Sequence, residues 1–282
     1  AGTGAKVWTF ATSGDIESSA TISGGVLYFG SSDQRLYAID AVTGVKQWGF
    51  LAGGAVLSSP TVGTDGVYIA SYSGMMFGVN KNGSQKWSAQ PSGNSQLMSS
   101  PAYSNGIVYF GSKDNNLYAF DAASGTKLWT AATGDSINSS PAVSNGVVYV
   151  GSSDKNAYAF DAATGALKWK YATGDSILSS PTISNGILYV GSFDGKMYAL
   201  DAVTGAIKWS TSTGGRIGSS PTVSNGVVYA GSYDNKLYAF DAVTGAIKWS
   251  NATGGRILSS PTVSNGVVYA GSYDNNLYAF SV

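Results

Sequence analysis

The most informative segment of the chain reads Leu237-Tyr238-Ala239-Phe240-Asp241-Ala242-Val243-Thr244-Gly245-Ala246-Ile247-Lys248-Trp249. Two short apolar runs, the second ending in tryptophan, flank an Asp-Ala-Val-Thr-Gly stretch, a pattern typical of two strands joined by a tight turn. Versions of this segment recur at residues 36–48, 117–129, 158–169 and 197–209, and a degraded copy lies at residues 77–87. The chain is therefore built from an internal repeat, which governs any assignment of its fold.

The tryptophans give the length of this repeat. They are Trp8, Trp48, Trp87, Trp129, Trp169, Trp209 and Trp249. Successive tryptophans are 40, 39, 42, 40, 40 and 40 residues apart, and the interval from the last to the first through the termini is 41. The repeats thus fill all 282 residues without a linker. We expect a single domain over residues 1–282.

One complete unit extends over residues 214–249 and reads as four short strands. The predicted strands are residues 216–223, 227–232, 237–240 and 246–249, and no window has a sustained helical period. The second and third strands do not alternate polar and apolar residues, which indicates that both of their faces are covered. Radial stacking of sheets covers both faces, and about 40–45 residues is the period of a four-stranded propeller blade.

The sequence therefore predicts an all-β, seven-bladed β-propeller of four-stranded antiparallel blades. A β-sandwich has no reason to repeat its sequence seven times, and a solenoid would need distinct caps at its ends.

The termini indicate how such a ring closes. The last repeat stops after its third strand at residues 277–280, and residues 3–8 match the pattern of the missing fourth strand, residues 244–249. We expect the N-terminal strand to complete the C-terminal blade and to cover its open edge. Deleting residues 1–10 is then expected to lower the melting temperature and to promote association. An unchanged melting temperature with monomeric elution would contradict this expectation.

Composition excludes several functional classes. Charged residues make up 11% of the chain, against about 25% in an ordinary protein, and the formal net charge is zero. These values argue against a coiled coil, a basic nucleic-acid binder and a charge-driven disordered chain. Cysteine and histidine are absent, which excludes disulfides, a cysteine nucleophile, a Ser-His-Asp triad and the commonest zinc sites.

Composition also bears on location and partners. No run of 18 or more apolar residues is present, so we expect no membrane span. The surface is rich in Ser, Thr, Asn and Gly, which favours an extracytoplasmic protein: periplasmic, cell-surface or secreted. We expect a monomer with no nucleic-acid partner.

The repeat resembles the PQQ-like repeat with its tryptophan-docking motif. WD40 propellers carry Trp-Asp and Gly-His pairs, and neither occurs here. The resemblance covers essentially the whole chain and implies that each outer-strand tryptophan packs against the neighbouring blade, where the Asp/Thr/Gly turn receives it.

That family includes quinoprotein dehydrogenases, BamB-like outer-membrane assembly scaffolds, and sensor or surface domains. The dehydrogenases have eight blades, two adjacent cysteines and a Glu/Asn/Asp calcium site with a catalytic Asp, whereas this chain has seven repeats, no cysteine and one glutamate, Glu17. We therefore expect no enzymatic activity, no cofactor and no metal.

Two sets of polar residues recur with the repeat. The first is acidic and comprises Asp40, Asp121, Asp161, Asp201 and Asp241 together with Asp33, Asp114, Asp154, Asp194, Asp234 and Asp274. We interpret these acids as turn-forming residues rather than metal ligands, since short acids bind their own backbone and none has the spacing of a calcium loop. The second set is the Ser-Ser-Pro triplets beginning at Ser58, Ser99, Ser139, Ser179, Ser219 and Ser259. These triplets indicate either a hydroxyl-lined channel or the small residues that strands converging on an axis require.

Departures from the repeat define the candidate site. Two of the three arginines, Arg216 and Arg256, occupy the position that holds Asp15 in the first repeat, and the only glutamate, Glu17, lies two residues beyond Asp15. Further members of the predicted site are the acids Asp135 and Asp175 and the loop aromatics Phe193, Tyr233 and Tyr273. In a closed ring Arg256 neighbours Asp15 and Glu17, which places a mixed-charge cluster at one mouth of the channel. Such a cluster can bind a carboxylate or a sugar acid, and the alternative is an inter-blade salt bridge among ordinary exposed tyrosines.

The sequence thus favours a non-catalytic protein-interaction or assembly scaffold that meets its partner on this face. Three alternatives stay open: a glycan or small-acid binding module, a relative of the quinone-dependent dehydrogenases, and a recently amplified or engineered repeat chain without a ligand. The last rests on the near-identity of residues 219–240 and 259–280.

Overall fold

The computed structural model describes residues 5–91, 93 and 95–282, and these form strands and turns. By density of contacts the chain divides into two compact units, Ala1–Thr130 (unit 1) and Ala131–Val282 (unit 2). In the described ranges, no helix is long and apolar enough to cross a bilayer. The single domain over residues 1–282 stays a prediction.

Unit 1 contains three antiparallel sheets of four strands, apart from the last two residues of β12, in the orders β1-β2-β3-β4, β5-β6-β7-β8 and β9-β10-β11-β12. Its strands are β1 (Thr21–Ser23), β2 (Val26–Gly30), β3 (Arg35–Asp40), β4 (Lys46–Leu51), β5 (Thr61–Val62), β6 (Val67–Ala70), β7 (Met76–Val79), β8 (Gln85–Ala89), β9 (Ala102–Ser104), β10 (Ile107–Gly111), β11 (Asn116–Asp121) and β12 (Lys127–Ala132).

Unit 2 contains three further four-stranded sheets and a last sheet of three strands, β25-β26-β27. Its strands are β13 (Ala142–Ser144), β14 (Val147–Gly151), β15 (Asn156–Asp161), β16 (Leu167–Ala172), β17 (Thr182–Ser184), β18 (Ile187–Gly191), β19 (Lys196–Asp201), β20 (Ile207–Ser212), β21 (Thr222–Ser224), β22 (Val227–Gly231), β23 (Lys236–Asp241), β24 (Ile247–Ala252), β25 (Thr262–Ser264), β26 (Val267–Gly271) and β27 (Leu277–Ser281).

The core lies between successive sheets within each unit. In unit 2, Tyr189 and Met197 of one sheet pack with Val228 and Phe240 of the next, and all four are buried. The first strands of neighbouring sheets also lie side by side, β13 beside β17, β17 beside β21 and β21 beside β25. The second and third strands of these sheets are therefore covered on both faces, as their sequences predicted, whereas β27 of the last sheet alternates exposed and half-buried residues. The predicted fold class of antiparallel propeller blades is confirmed.

The turn between the first and second strands has the geometry of a type I′ hairpin. Asn225 has φ of 48° and Gly226 has φ of 73°. Asparagine tolerates this left-handed conformation and glycine adopts it without strain, so the Asn-Gly pair specifies a two-residue connection.

The first strand of the repeat over residues 214–249 is shorter than the sequence predicted. The prediction was residues 216–223, but β21 comprises only Thr222–Ser224. Pro221 has no N–H to offer a ladder. The buried Ser219 hydroxyl instead donates to the Gly231 carbonyl at 3.0 Å and accepts from the Gly231 N–H at 2.7 Å, which replaces the backbone pairing.

The N-terminal segment contacts the first sheet of its own unit. Trp8 Nε1 donates to the Ala41 carbonyl at 3.2 Å, and the Phe10 ring packs 5.3 Å from that of Tyr37. Thr3 and Gly4 of the predicted N-terminal strand lie outside the described residues, and Ala5–Trp8 have no β-ladder. Completion of the last blade by this segment stays a prediction.

Candidate functional site

Five of the predicted site residues lie together in unit 2. They form what we call the arginine–aromatic rim: Phe193, Arg216, Tyr233, Arg256 and Tyr273. Each arginine precedes the first strand of its sheet, and each aromatic residue follows a second strand. Backbone hydrogen bonds hold the two segments of one sheet together, from Tyr233 N to Arg216 O at 2.8 Å and from Tyr273 N to Arg256 O at 2.9 Å.

The arginine side chains of this rim cross to the preceding blade. The Arg216 guanidinium carbon lies 5.3 Å from the Phe193 ring centroid, and that of Arg256 lies 5.3 Å from the Tyr233 ring centroid. Both distances are within the range of a cation–π interaction. The Phe193 and Tyr233 rings are themselves 5.6 Å apart. The rim is therefore a row in which rings and guanidinium groups from successive blades contact one another.

Glycines make this close packing possible. A Cβ atom at Gly218 would lie 3.2 Å from Phe193 Cε1 and 3.4 Å from Tyr233 Cε1, and one at Gly215 would lie 2.7 Å from the backbone N of Asp234. The missing side chains admit the two rings and the loop that carries Tyr233. Sequence reasoning missed these glycines, although the signal was present: Gly215 and Gly255 stand where two earlier repeats have aspartate.

Both arginines are exposed and have no acidic partner among the described residues of unit 2. The ion pairs found in that part of the chain are all between lysine and aspartate: Lys86–Asp65, Lys168–Asp161, Lys208–Asp201 and Lys248–Asp241. The guanidinium N–H groups of Arg216 and Arg256 make no hydrogen bond to a described residue either. Both guanidinium groups thus lie over aromatic rings, and both arginine residues are exposed to solvent.

The predicted acids of unit 2 have local roles. Asp135 Oδ1 accepts from the Ser136 N–H at 2.6 Å, and Asp175 Oδ1 accepts from the Ser176 N–H at 2.8 Å. Asp135 and Asp175 therefore stabilise their own turns and form no ion pair with the rim in the described residues.

Asp15 and Glu17 lie in unit 1, where both are exposed. The Asp15 carbonyl accepts from Ser32 N at 2.9 Å, which holds the first strand segment to the following loop. Their position beside Arg256 stays a prediction.

The two recurring sets of aspartates serve the turns. Asp234 Oδ2 accepts from the Tyr238 hydroxyl at 2.5 Å and from Gly214 N at 2.9 Å. Asp241 Oδ1 accepts from Thr244 N at 2.9 Å and from its hydroxyl at 3.0 Å. Among the described residues, no group of three or more acids lies close enough together to bind a metal ion.

The second serine of each triplet links neighbouring blades. In unit 2, Ser180 N donates to Ser220 Oγ at 3.0 Å, and Ser220 N donates to Ser260 Oγ at 3.2 Å. These hydroxyls are therefore engaged in holding the first strands of successive sheets together.

The tryptophans of the repeat dock on the next blade. Trp209 Nε1 donates to the Ala242 carbonyl at 3.0 Å, and its ring covers Gly245, whose φ is 74°. Trp8, Trp48, Trp87 and Trp169 donate likewise to Ala41, Lys81, Ala122 and Ala202. The Asp-Ala-Val-Thr-Gly turn thus supplies both the acceptor and the flat surface that receives the indole.

Two pockets of the units lie away from the rim. One in unit 1 has a volume of about 190 Å³ and an apolar lining that includes Trp8, Phe10 and Leu27. One in unit 2 has about 470 Å³ and lies near Tyr149 and Lys168. Neither of these two pockets is lined by a rim residue.

The Asp and Tyr side chains of the turns predict how stability depends on pH. Hydrogen bonds from the Thr244 N–H and hydroxyl, with Lys248 nearby, lower the pKa of Asp241 to about 2. Burial and the hydrogen bond to Asp234 raise the pKa of Tyr238 to about 12. Asp241 therefore stabilises the fold above its unfolded pKa of about 4, and this contribution is lost as the pH falls toward 2. The contribution of Tyr238 to the stability of the fold is fully present below about pH 10 and is lost as the pH rises through 12.

The expected melting temperature is accordingly constant at intermediate pH and falls below about pH 4 and above about pH 10. Thermal unfolding followed by circular dichroism over this range measures it. Tyr238→Phe should weaken the alkaline decline, and an equally steep decline in that variant would contradict the assignment.

Comparison with known proteins covers the whole chain. The model of the family described as outer membrane protein assembly factor BamB matches residues 1–118, 113–216, 172–255 and 209–282. The crystal structure of BamB from Moraxella catarrhalis is similar to this chain with a TM-score of 0.82 at 23% sequence identity, covering 98% of this chain and 88% of that one.

A second solved structure shares the fold less closely. The computationally designed Ika8 protein has a TM-score of 0.61 at 16% identity, covering 96% of this chain and 97% of that chain. No curated protein matches the sequence. At these identities the two structures bear on the fold alone.

Proposed function

Because the chain belongs to the outer membrane protein assembly factor BamB family, we propose that it is a non-catalytic interaction scaffold whose contact surface is the arginine–aromatic rim. The observation that carries this proposal is the pair Arg216 and Arg256, which lie over aromatic rings yet have no acidic partner among the described residues of unit 2. We also propose an extracytoplasmic location, in keeping with the family description and the polar, weakly charged surface.

The chemistry of the rim supports contact with a protein. Arginine and tyrosine are the residues most enriched at the energetic centres of protein interfaces. Stacking on Phe193 and Tyr233 restricts both arginine side chains before a partner arrives, which reduces the entropy lost on binding. A preordered, open row of this kind suits an extended contact better than capture of a small molecule, which favours a concave pocket.

The absence of catalysis is part of the same proposal. The sequence has no histidine or cysteine, and the aspartates at the turns are engaged by backbone N–H, hydroxyl and lysine groups.

An unbiased peptide selection tests the scaffold. A random peptide library displayed on phage is selected on immobilised protein, and recovered peptides are measured against wild type and the Arg216→Ala/Arg256→Ala double variant. We expect recovered peptides to lose affinity about tenfold or more in the double variant, since hydrogen bonds to charged groups contribute about 1.5–3 kcal/mol each. Lys155→Ala, which removes an exposed positive charge elsewhere in unit 2, should bind as wild type. Recovery of no peptide, or of peptides that bind both proteins equally, would overturn the proposal.

The second candidate is a glycan or small-acid binding module, which the placement of the guanidinium groups on rings also favours. A screen of uronic acids and organic acids by calorimetry separates the two. Saturable binding of one acid, abolished in the double variant and accompanied by no peptide recovery, would favour the module. A repeat chain without any ligand predicts a negative result in both experiments.

A further inference from the structure

We propose that the arginine–aromatic rim binds an extended acidic segment of a partner protein through two carboxylates, one at Arg216 and one at Arg256. This inference rests on the proposed scaffold function and specifies the chemistry of its partner.

Where a repeat of unit 2 has a rim arginine, the residue before the arginine is glycine instead of aspartate. In the two repeats of unit 2 that lack a rim arginine, the corresponding dipeptides are Asp135-Ser136 and Asp175-Ser176. In the other two they are Gly215-Arg216 and Gly255-Arg256, so the acid is absent where the arginine is present. A carboxylate on the preceding residue would stabilise an arginine that served an internal salt bridge. Because this carboxylate is absent before Arg216 and Arg256, both positive charges stay available to an external anion.

The remaining acids of these two repeats are already engaged, and one of them, Asp241, pairs with Lys248 and accepts hydrogen bonds from Thr244. Asp234 accepts from the Tyr238 hydroxyl, Gly214 N and Lys236 N, and Asp274 accepts from the Tyr278 hydroxyl, Gly254 N and Asn276 N. These carboxylates are directed into their turns. They form no ion pair with Arg216 or Arg256 within the described part of the chain.

Arg216 and Arg256 lie at the same distance from a ring of the preceding blade, with the guanidinium carbon 5.3 Å from the ring centroid. A guanidinium group is planar and carries its N–H donors at its edge, which allows bidentate pairing with a carboxylate. The rim therefore presents two guanidinium groups on successive blades, each a receptor for one carboxylate.

The aromatic residue in the same repeat as Arg256 has an exposed ring. Tyr273 is 68% exposed, whereas Phe193 and Tyr233 are partly buried. An apolar side chain beside the acids of a partner would cover Tyr273, as aromatic residues commonly do in interfaces. The segment that fits this row is thus extended, doubly acidic and flanked by an apolar residue.

Two carboxylate receptors within unit 2 predict bivalent binding. Once one carboxylate is bound, the second binds from a high effective concentration if the linker between them spans the two sites. A segment with two suitably spaced glutamates should therefore bind more tightly than one with a single glutamate. Independent small-acid sites would give no such gain.

The experiment uses synthetic Ser/Gly peptides that carry a fluorophore and no other charged side chain. One series has two glutamates separated by increasing numbers of serines, a second has one glutamate, and a third has glutamine in place of both. Fluorescence anisotropy measures the affinity of each for the full chain at low ionic strength. We expect one spacing in the first series to bind about tenfold or more tightly than the single-glutamate peptide, with binding weakened by added salt.

Variants locate the binding. Arg216→Ala and Arg256→Ala should each reduce the two-glutamate peptide to the affinity of the single-glutamate peptide. The Arg216→Lys/Arg256→Lys variant keeps the charge but loses the planar group, and it should also bind weakly. The matched control is Lys113→Ala in unit 1, since Lys113 lies 6.0 Å from the Tyr72 ring but already donates to Gln96 Oε1 at 2.6 Å. This control should bind as wild type, and all variants should keep the wild-type melting temperature because the altered side chains are exposed.

Different outcomes separate this inference from the scaffold proposal. Equal affinity for one and two glutamates, with each single variant removing half of the sites, would overturn the bivalent segment in favour of two independent small-acid sites. Equal affinity for glutamate and glutamine peptides, while phage-selected peptides still depend on both arginines, would overturn the acidic chemistry and leave the scaffold standing. Failure of both the designed and the selected peptides would overturn both.

Discussion

Replacing Trp209 with alanine is expected to lower the free energy of unfolding by about 3–5 kcal/mol, the usual cost of truncating a buried tryptophan. The indole is 8% exposed, packs 5.9 Å from the Tyr189 ring and 6.2 Å from the Phe240 ring, and donates to the Ala242 carbonyl at 3.0 Å. Alanine would leave a cavity between two blades and remove one of the two hydrogen bonds to the Ala242 carbonyl, which also accepts from the Tyr189 hydroxyl at 3.0 Å. Both effects act at the contact that joins one sheet to the next.

Urea denaturation followed by tryptophan fluorescence and circular dichroism measures this loss. The matched variant is Trp209→Phe, which keeps an aromatic ring on the blade but removes the donor, and it should lose only about 1–2 kcal/mol. If alanine and phenylalanine cost the same small amount, the docked indole does not stabilise the blade contact.

Gly245→Ala is expected to destabilise the protein by about 3 kcal/mol or more, for two reasons that add. Gly245 has φ of 74°, where any other L-residue pays about 1–2 kcal/mol. A Cβ atom there would also lie 2.5 Å from Trp209 Cδ2, so the indole would have to move off the turn. Displacing the indole should lower the free energy of unfolding by nearly as much as removing Trp209 itself.

The repeat offers a control that isolates the second effect. Gly226 has a similar φ of 73° but no heavy atom within 4 Å of its hypothetical Cβ. Gly226→Ala should therefore cost only the backbone strain, about 1–2 kcal/mol. The difference between the two variants in chemical denaturation reports the contact with Trp209, and equal losses would show that the turn accommodates a side chain beneath the indole.

Much of the fold could be predicted because its signals are local. The predicted second strand, residues 227–232, is observed as Val227–Gly231, and the third, residues 237–240, as Lys236–Asp241. Apolar runs and turn residues that are close in sequence are sufficient to place these strands. The first strand was overextended because Ser219 replaces ladder hydrogen bonds with its hydroxyl, which no apolar pattern encodes.

The candidate site was predicted only in part. Departures from the repeat identified the residues of the rim, but not which ring each arginine contacts, since Arg256 reaches Tyr233 of the preceding blade rather than Tyr273 of its own. The need for a residue without a side chain at Gly218, beside Phe193 and Tyr233, could not be inferred either, because it depends on how closely the blades stack.

The repeat, its seven copies, the order of strands within a copy and the residues that break the pattern can all be read from the amino-acid sequence, because each depends on neighbouring positions. The sequence does not reveal that Arg216 and Arg256 lie over rings with no acid paired to them among the described residues of unit 2, while Asp135 and Asp175 are engaged by their own turns. The physical reason is that these contacts join side chains from different blades, and the geometry of stacked sheets brings such side chains together irrespective of their distance along the chain.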